Sequence, residues 1–216
     1  MDFEGELARV LPADTPHREL LIEKSAHHLR LLAAANEHMN LTRVSSPMEA
    51  AIKHVFDSVA PWRHFERARR VLDAGTGAGF PGIPLAIVLP RISFILSESI
   101  QKKCRFVESA VEALDLPNVE VSSTRAESLA LTHRPEIIAA RAVAPAQRLV
   151  NLFGKALRQG AHLLLYKGPD VEAELAEAEG RHATAEIVCS YDLPEGLGAR
   201  TLLRIAAHRR GARSAS

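Results

Sequence analysis

One stretch of this 216-residue chain carries chemistry in its spacing: Val71-Leu-Asp-Ala-Gly-Thr-Gly-Ala-Gly-Phe-Pro-Gly-Ile-Pro84, an apolar run that enters a glycine-rich turn and then a helix start. Glycines at Gly75, Gly77 and Gly79 let the backbone turn sharply and approach a ligand with no side chain between. The stretch reads as a cofactor loop. A dinucleotide fingerprint counted from Gly75 and Gly77 needs a third glycine where Phe80 stands, and no G-K-[ST] is present to grip a nucleoside triphosphate. Asp73 ends the apolar run, where a carboxylate can face a ligand, satisfy loop amides, or do both. The next apolar run ends in Ser97-Glu98, at the distance where nucleotide-binding α/β folds place a carboxylate on ribose hydroxyls, so Glu98 is the expected ribose ligand. A third run ends at Thr124-Arg-Ala126-Glu127. Its amide and carboxylate suit an adenine edge, and the plainer alternative is a helix-start glutamate favoured by the helix dipole.

Other reactive residue types are sparse. Cys104 and Cys189 lie far apart without C-x-x-C spacing, which excludes a disulfide framework or zinc site and suggests buried filler. The ten histidines include no H-x-x-x-H pair, so no metal is expected. His54 and Asp57 share a helix face, where a structural hydrogen bond that fixes the N-terminal region competes with contact to a substrate. A net charge of +1 gives no global sign of a nucleic-acid partner. Local clusters would have to supply one: Arg63, Arg67, Arg69 and Arg70 before the loop, Lys102, Lys103 and Arg105 after it, and Arg204, Arg209, Arg210 and Arg213 at the end. Taken singly, each also reads as a solvated face.

These residues need a scaffold, and the chain is long enough for one well-buried core. No apolar run reaches membrane-spanning length, and the N-terminus has acidic residues where a secretory signal would have basic ones, so a soluble, cytosolic protein is expected. Residues 16–39 predict a long amphipathic helix opened by Thr15-Pro16, with Leu20, Leu21, Ala26, Leu29, Leu31 and Leu32 as its stripe. A second helix starts at Ser46-Pro47-Met48-Glu49, a capping box, and runs to about Pro61. Residues 1–62 thus read as a helical cap on a core spanning 63–210, with 211–216 as a frayed tail.

From Arg70 the texture changes to short apolar runs that alternate with helices, as in a mostly parallel sheet covered on both faces. Strands are expected at Val71–Ala74, Ile92–Glu98, Val119–Ser123, Glu136–Arg141 and Ala161–Lys167. After an acidic helix at Val171–Glu179 come two hairpin-like strands, Ala185–Asp192 and Arg200–His208. The expected fold is therefore α/β, a seven-stranded, mostly parallel sheet with one antiparallel strand near the C-terminus and an N-terminal helical cap.

Asp73-x-Gly75-x-Gly77-x-Gly79 resembles the first motif of the Rossmann-like class I methyltransferases. Beyond it, several pieces resemble the family that methylates guanine N7 in small-subunit (16S) ribosomal RNA. They are Asn40-Leu-Thr42, His54-x-x-Asp57-Ser58, Gly79-Phe-Pro-Gly-Ile-Pro84, Glu98-Ser-x-x-Lys-Lys-x-Arg-Phe106, Arg141-Ala142 and Lys167-Gly168, and together they cover about Asn40 to His208. Two positions depart from the family pattern: Glu98 stands where aspartate is frequent, and Lys103 where arginine is common. Lysine keeps the charge but lacks the bidentate fork, which weakens a phosphate contact there.

The resemblance implies S-adenosylmethionine as cofactor, held at Gly75, Phe80, Ala126, Glu127 and Arg141. It implies ribosomal RNA or the small subunit as partner. Arg141, with Asn40 and Lys167, is expected to position the guanine and its flanking phosphates, and Lys102, Lys103 and Arg105 to contact phosphates. Guanine N7 offers its own lone pair, so no general base is needed and catalysis rests on alignment and electrostatics. A methyltransferase for a small molecule or protein is the alternative within this fold. A non-catalytic ribosome-associated module is disfavoured by the complete set of cofactor residues, and a dehydrogenase by Phe80.

Overall fold

The computed structural model describes residues 1–44, 46–179 and 183–208. A seven-stranded sheet runs in the order β3-β2-β1-β4-β5-β7-β6, with β1 Arg70–Ala74, β2 Ser93–Ser97, β3 Val119–Ser122, β4 Ile137–Arg141, β5 His162–Lys167, β6 Ala183–Asp192 and β7 Ala199–Ala207. β1 to β5 pair in parallel, and β7 lies antiparallel between β5 and β6. The order reverses beside β1, whose neighbours are β2 and β4, and this opens a crevice beyond the C-terminal ends of those strands.

The central strands are apolar on both sides, as parallel strands covered by helices must be. Leu72, Ile95, Ile138, Leu163 and Leu165 bury into one face, against helices α7 (Ala126–His133), α8 (Ala146–Arg158) and α9 (Glu172–Ala178). Val71, Phe94, Leu96, Ile137, Ala139 and Leu164 bury into the other. That second core is completed by α1 (Phe3–Val10), α2 (Arg18–Met39), α5 (Gly82–Val88) and α6 (Gln101–Ala113), and by the segment from α3 (Pro47–Ala50) to α4 (Asp57–Val59).

The N-terminal third departs from the sequence expectation in three ways. Helix α1 went unpredicted because Phe3, Leu7 and Val10 are too few to make a periodic signal, yet all three are buried. Helix α2 begins at Arg18 rather than at Pro16, its cap being a left-handed His17 without a side-chain bond, and Leu20 of the proposed stripe is exposed while Ser25 and His28 are buried. The helix from Ser46 does open as expected, with Ser46 Oγ accepting from Glu49 N. It then widens into a π-helical turn at Ala51–Phe56 before α4. Cys189 is also only half-buried, whereas Cys104 is buried. Arg209, Arg210, Arg213 and the tail at 211–216 lie outside the described residues.

Candidate cofactor and substrate site

The glycine loop is built from the end of β1 outward. Gly75 N and Thr76 N donate to Ser97 O at the end of β2, at 2.9 and 3.0 Å, which folds the loop over the neighbouring strand. Gly79 has φ +97, and a Cβ there would stand 2.5 Å from Ile83 Cδ1, so both conformation and space demand glycine. A Cβ on Gly77, by contrast, would meet nothing within 4 Å. The backbone there faces open crevice.

Asp73 is 1 % exposed. Its Oδ2 accepts from Thr76 Oγ1 at 2.6 Å and from Gly82 N at 2.9 Å, so the carboxylate ties both ends of the loop together. Its Oδ1 is buried without a partner. Burial pushes the carboxyl up to about 6, against the pull of those two hydrogen bonds. Glu98 adjoins the loop: Oε2 accepts from Gly77 N at 3.1 Å and Oε1 from Ile100 N at 2.8 Å. Ser97 Oγ donates to Thr124 O at 2.8 Å and thereby links the end of β2 to the segment that leads into Ala126 and Glu127. Ile100 and Val143 are exposed apolar side chains on this rim, and Val143 lies against Gly75.

Phe80 is buried between two histidines, with ring centroids 4.7 Å from His28 and 4.6 Å from His54. His28 Nε2 donates to Ala78 O at 2.9 Å, which fastens α2 to the loop. Burial lowers His28 to about 4 and His54 to about 3, so both rings are neutral at pH 7 and stack as aromatic surface rather than as cations. Neither Nδ1 has a partner.

Arg141 ends β4 beneath this stack, its guanidinium 5.6 Å from the Phe80 ring. It donates to Lys53 O at 2.9 Å and to Asp57 Oδ2 at 3.2 Å. Arg141 thus pairs with a carboxylate that is itself buried. Asp57 also accepts from Tyr191 Oη at 3.0 Å and lies 3.3 Å from Arg200 Nε, so one acid joins α4 to β4, β6 and β7. His54, expected with Asp57 to give a structural hydrogen bond that fixes the N-terminal region, meets Thr42 Oγ1 at 2.9 Å.

Other expected site residues are more dispersed. Lys167, at the end of β5, donates to Ala144 O at 3.1 Å and pairs with Glu174 at 2.7 Å. Asn40 is the exposed, left-handed cap of α2, beside the turn that Asn36 and Thr42 hold with two hydrogen bonds. Lys102 and Arg105 are exposed on α6 and Lys103 is half-buried, just after Glu98. Several of the proposed basic clusters are already engaged: Arg63 with Asp14, Arg69 with Glu136, Arg70 with His133 O, and Arg204 with Glu186. Among the described residues no group of three or more His, Cys, Asp or Glu could hold a metal ion.

Sequence reasoning missed His28, Tyr166, Tyr191 and Arg200. His28 left a signal, a histidine on the apolar face of α2 one step from Leu29. The other three lie on β5, β6 and β7 and reach Asp57 or Ser58 only through the fold, Tyr166 by donating to Ser58 O at 2.8 Å.

The strand order and the glycine loop at its reversal define a Rossmann-like methyltransferase fold. Solved structures agree: an O-methyltransferase from Bacillus cereus in complex with SAH has a TM-score of 0.56 at 19 % identity, covering 86 % of this chain and 90 % of that one. Cofactor-bound Rv0187 from MTB has a TM-score of 0.57 at 18 % identity, covering 83 % and 89 %. The model of the GidB family, rRNA small subunit methyltransferase G, matches residues 21–196, and the chain belongs to that family. A ribosomal RNA small subunit methyltransferase G from Solibacter usitatus is 56 % identical over 95 % of this chain and all of its own length. Its counterpart from Carboxydothermus hydrogenoformans is 38 % identical over 84 % of this chain and 81 % of its own.

Proposed function

We propose that this chain transfers the methyl group of S-adenosylmethionine to N7 of a guanine in small-subunit (16S) ribosomal RNA. The observation that carries the reading is the loop at the sheet's reversal: buried Asp73 with a free Oδ1, open backbone at Gly77, and Glu98 bonded to that backbone. This cradle suits a cofactor with a cationic, donor-rich end and a ribose. When bound, S-adenosylmethionine supplies an electrophilic methyl carbon on a sulfonium. Asp73 Oδ1 accepts a donor from the ligand, the backbone from Gly75 to Phe80 lies against it, and the Phe80 ring, buried between two neutral histidines, anchors that backbone from behind. Glu98 takes the ribose hydroxyls, and Ala126 with Glu127 takes the adenine edge.

Guanine N7 needs no deprotonation, so the chain's contribution is to align it and to stabilise the shifting charge. Arg141 sits next to the loop and is held by Asp57. With Asn40 and Lys167 it positions the guanine and its flanking phosphates, and Lys102, Lys103 and Arg105 add phosphate contacts on α6. Residues 1–62 serve as a cap of the same unit as 63–210, and the reading is completed by a monomer that works in the cytoplasm. Among the described residues no helix is long and apolar enough to cross a membrane.

The test is transfer of labelled methyl from S-adenosylmethionine to small-subunit particles and to naked 16S RNA, with the product nucleoside identified by mass. 7-Methylguanosine at one site is expected. Measurable cofactor binding without transfer to either RNA would return the protein to the small-molecule or protein methyltransferases.

A further inference from the structure

Nine basic side chains of the described structure are neutralised by carboxylates: Arg9, Arg30, Lys53, Arg63, Arg69, Arg141, Lys167, Arg200 and Arg204 all pair. On the sheet face covered by α7 and α8 five unpaired cations gather. Arg125, Arg134, Arg148, Lys155 and Arg158 are all exposed, and none pairs with a carboxylate among the described residues. The spacing 148-151-152-155-158 puts Arg148, Asn151, Leu152, Lys155 and Arg158 on one stripe of α8. Helix α7 lies beside that stripe, and the groove between them, about 340 Å³, is lined by Ser128, Leu131, Asn151, Leu152, Lys155 and Arg158, with Glu127 at its upper end. A smaller hollow of about 110 Å³ continues it past Arg134. The acid there, Glu136, is engaged by Arg69 Nε and Arg70 N.

The placement of the groove matters as much as its charge. Both helices start at the strand ends that form the crevice, α7 after Ser122 of β3 and α8 after Arg141 of β4, and both run back along the sheet. From Arg148 to Arg158 the stripe extends about 15 Å away from the crevice rim. Lys102, Lys103 and Arg105 sit on α6, whose buried side belongs to the opposite core. The α7–α8 face is therefore a second basic tract that begins at the same rim.

We propose that this groove binds the phosphate backbone of the substrate RNA beside the target guanine. Arg148, Lys155 and Arg158 neutralise phosphates, Asn151 and Ser128 offer hydrogen bonds to sugar hydroxyls, and the exposed Leu131 and Leu152 cover ribose faces. Such contacts hold register without reading sequence. Unpaired cations that line a groove open to the reaction edge fit a polyanion, and an acidic protein helix or a second copy of this chain is the competing occupant. The proposal rests on the ribosomal RNA reading above.

The experiment compares wild-type protein with Arg148→Glu/Lys155→Glu/Arg158→Glu, and with the corresponding triple glutamine variant, in methyl transfer to small-subunit particles and naked 16S RNA over a salt series. All three positions are exposed, so S-adenosylhomocysteine affinity should stay at the wild-type value and report an intact fold. The expected result is a KM for RNA raised about tenfold or more with kcat retained, and a salt slope of binding reduced by about 2. An unchanged KM and salt slope would overturn the proposal. If wild-type protein methylates neither RNA, the functional reading has failed, and anisotropy with a labelled 16S RNA fragment decides the groove separately: equal affinity in both proteins, or none in either, overturns it. A wild-type dimer that the triple variant dissolves would assign the face to self-association and overturn it as well.

Discussion

Asp73→Asn isolates the one buried carboxylate oxygen that the fold leaves without a partner. Asparagine keeps an oxygen for Thr76 Oγ1 and Gly82 N and replaces the partnerless Oδ1 by an amide group that cannot accept. Burial raises the carboxyl from 3.8 to about 6, about two units, so ionised Asp73 costs the free protein roughly 3 kcal/mol at neutral pH. Removing that charge offsets the weakening of two charge-assisted bonds, and the unfolding free energy at pH 7 should change by less than about 2 kcal/mol. Cofactor affinity should behave differently. A hydrogen bond to a charged group contributes about 1.5–3 kcal/mol, so the variant should bind S-adenosylmethionine about 10- to 150-fold more weakly. Wild-type affinity should also fall about tenfold per pH unit below about 6, as Asp73 takes up a proton. Calorimetric titration of both proteins from pH 7.5 to 5 tests this. A wild-type affinity that stays flat over that range, with a variant within twofold of it, would refute the role given to Oδ1.

Arg141→Ala should lower kcat by roughly 100-fold or more while leaving the protein folded, since Arg200 and Tyr191 still satisfy Asp57; single-turnover transfer to 16S RNA measures it. Asp57→Ala strands two arginines beside a buried site and should cost about 3–5 kcal/mol in urea unfolding. Gly79→Ala, with φ +97 and a Cβ 2.5 Å from Ile83 Cδ1, should destabilise the protein clearly more than Gly77→Ala, whose cost is the left-handed backbone alone at about 1–2 kcal/mol. The folded-state values of His28 and His54 lie below the ordinary 6.5, so the unfolded chain binds more protons between about 6.5 and 4 and stability falls as pH drops through that window. Asp73 acts in the opposite sense between about 6 and 3.8. The histidines should dominate, and His28→Gln should flatten the pH dependence of urea midpoints between pH 7 and 5.

How much of this was visible in the residues depends on whether the signal was local. The β1 loop, Glu98 and the strand periods announce themselves because glycine spacing and apolar runs are properties of neighbouring residues, and the seven strands lie within two residues of their expected bounds. Helix α1 has only three buried positions and no cap motif strong enough to stand out. His54 and Asp57 were legible as residues of one helix that fix the N-terminal region, but their partners were not, because Thr42, Arg141, Tyr191 and Arg200 reach them only in the folded chain. Tyr191 and Arg200 could not be found from sequence, because each meets Asp57 across more than a hundred residues.

Those last two contacts also bear on assembly. Asp57 precedes Tyr191 and Arg200 by 134 and 143 residues, and these come from the last two strands of the sheet in chain order. Strand β7 must slide in between β5 and β6, and only then does the buried acid acquire its full complement of donors. The set of donors around Asp57, which holds Arg141, is thus a long-range closure that is complete only once β6 and β7 are in place. In this architecture the acid that holds the reaction-edge arginine gains its last donors from the far edge of the sheet.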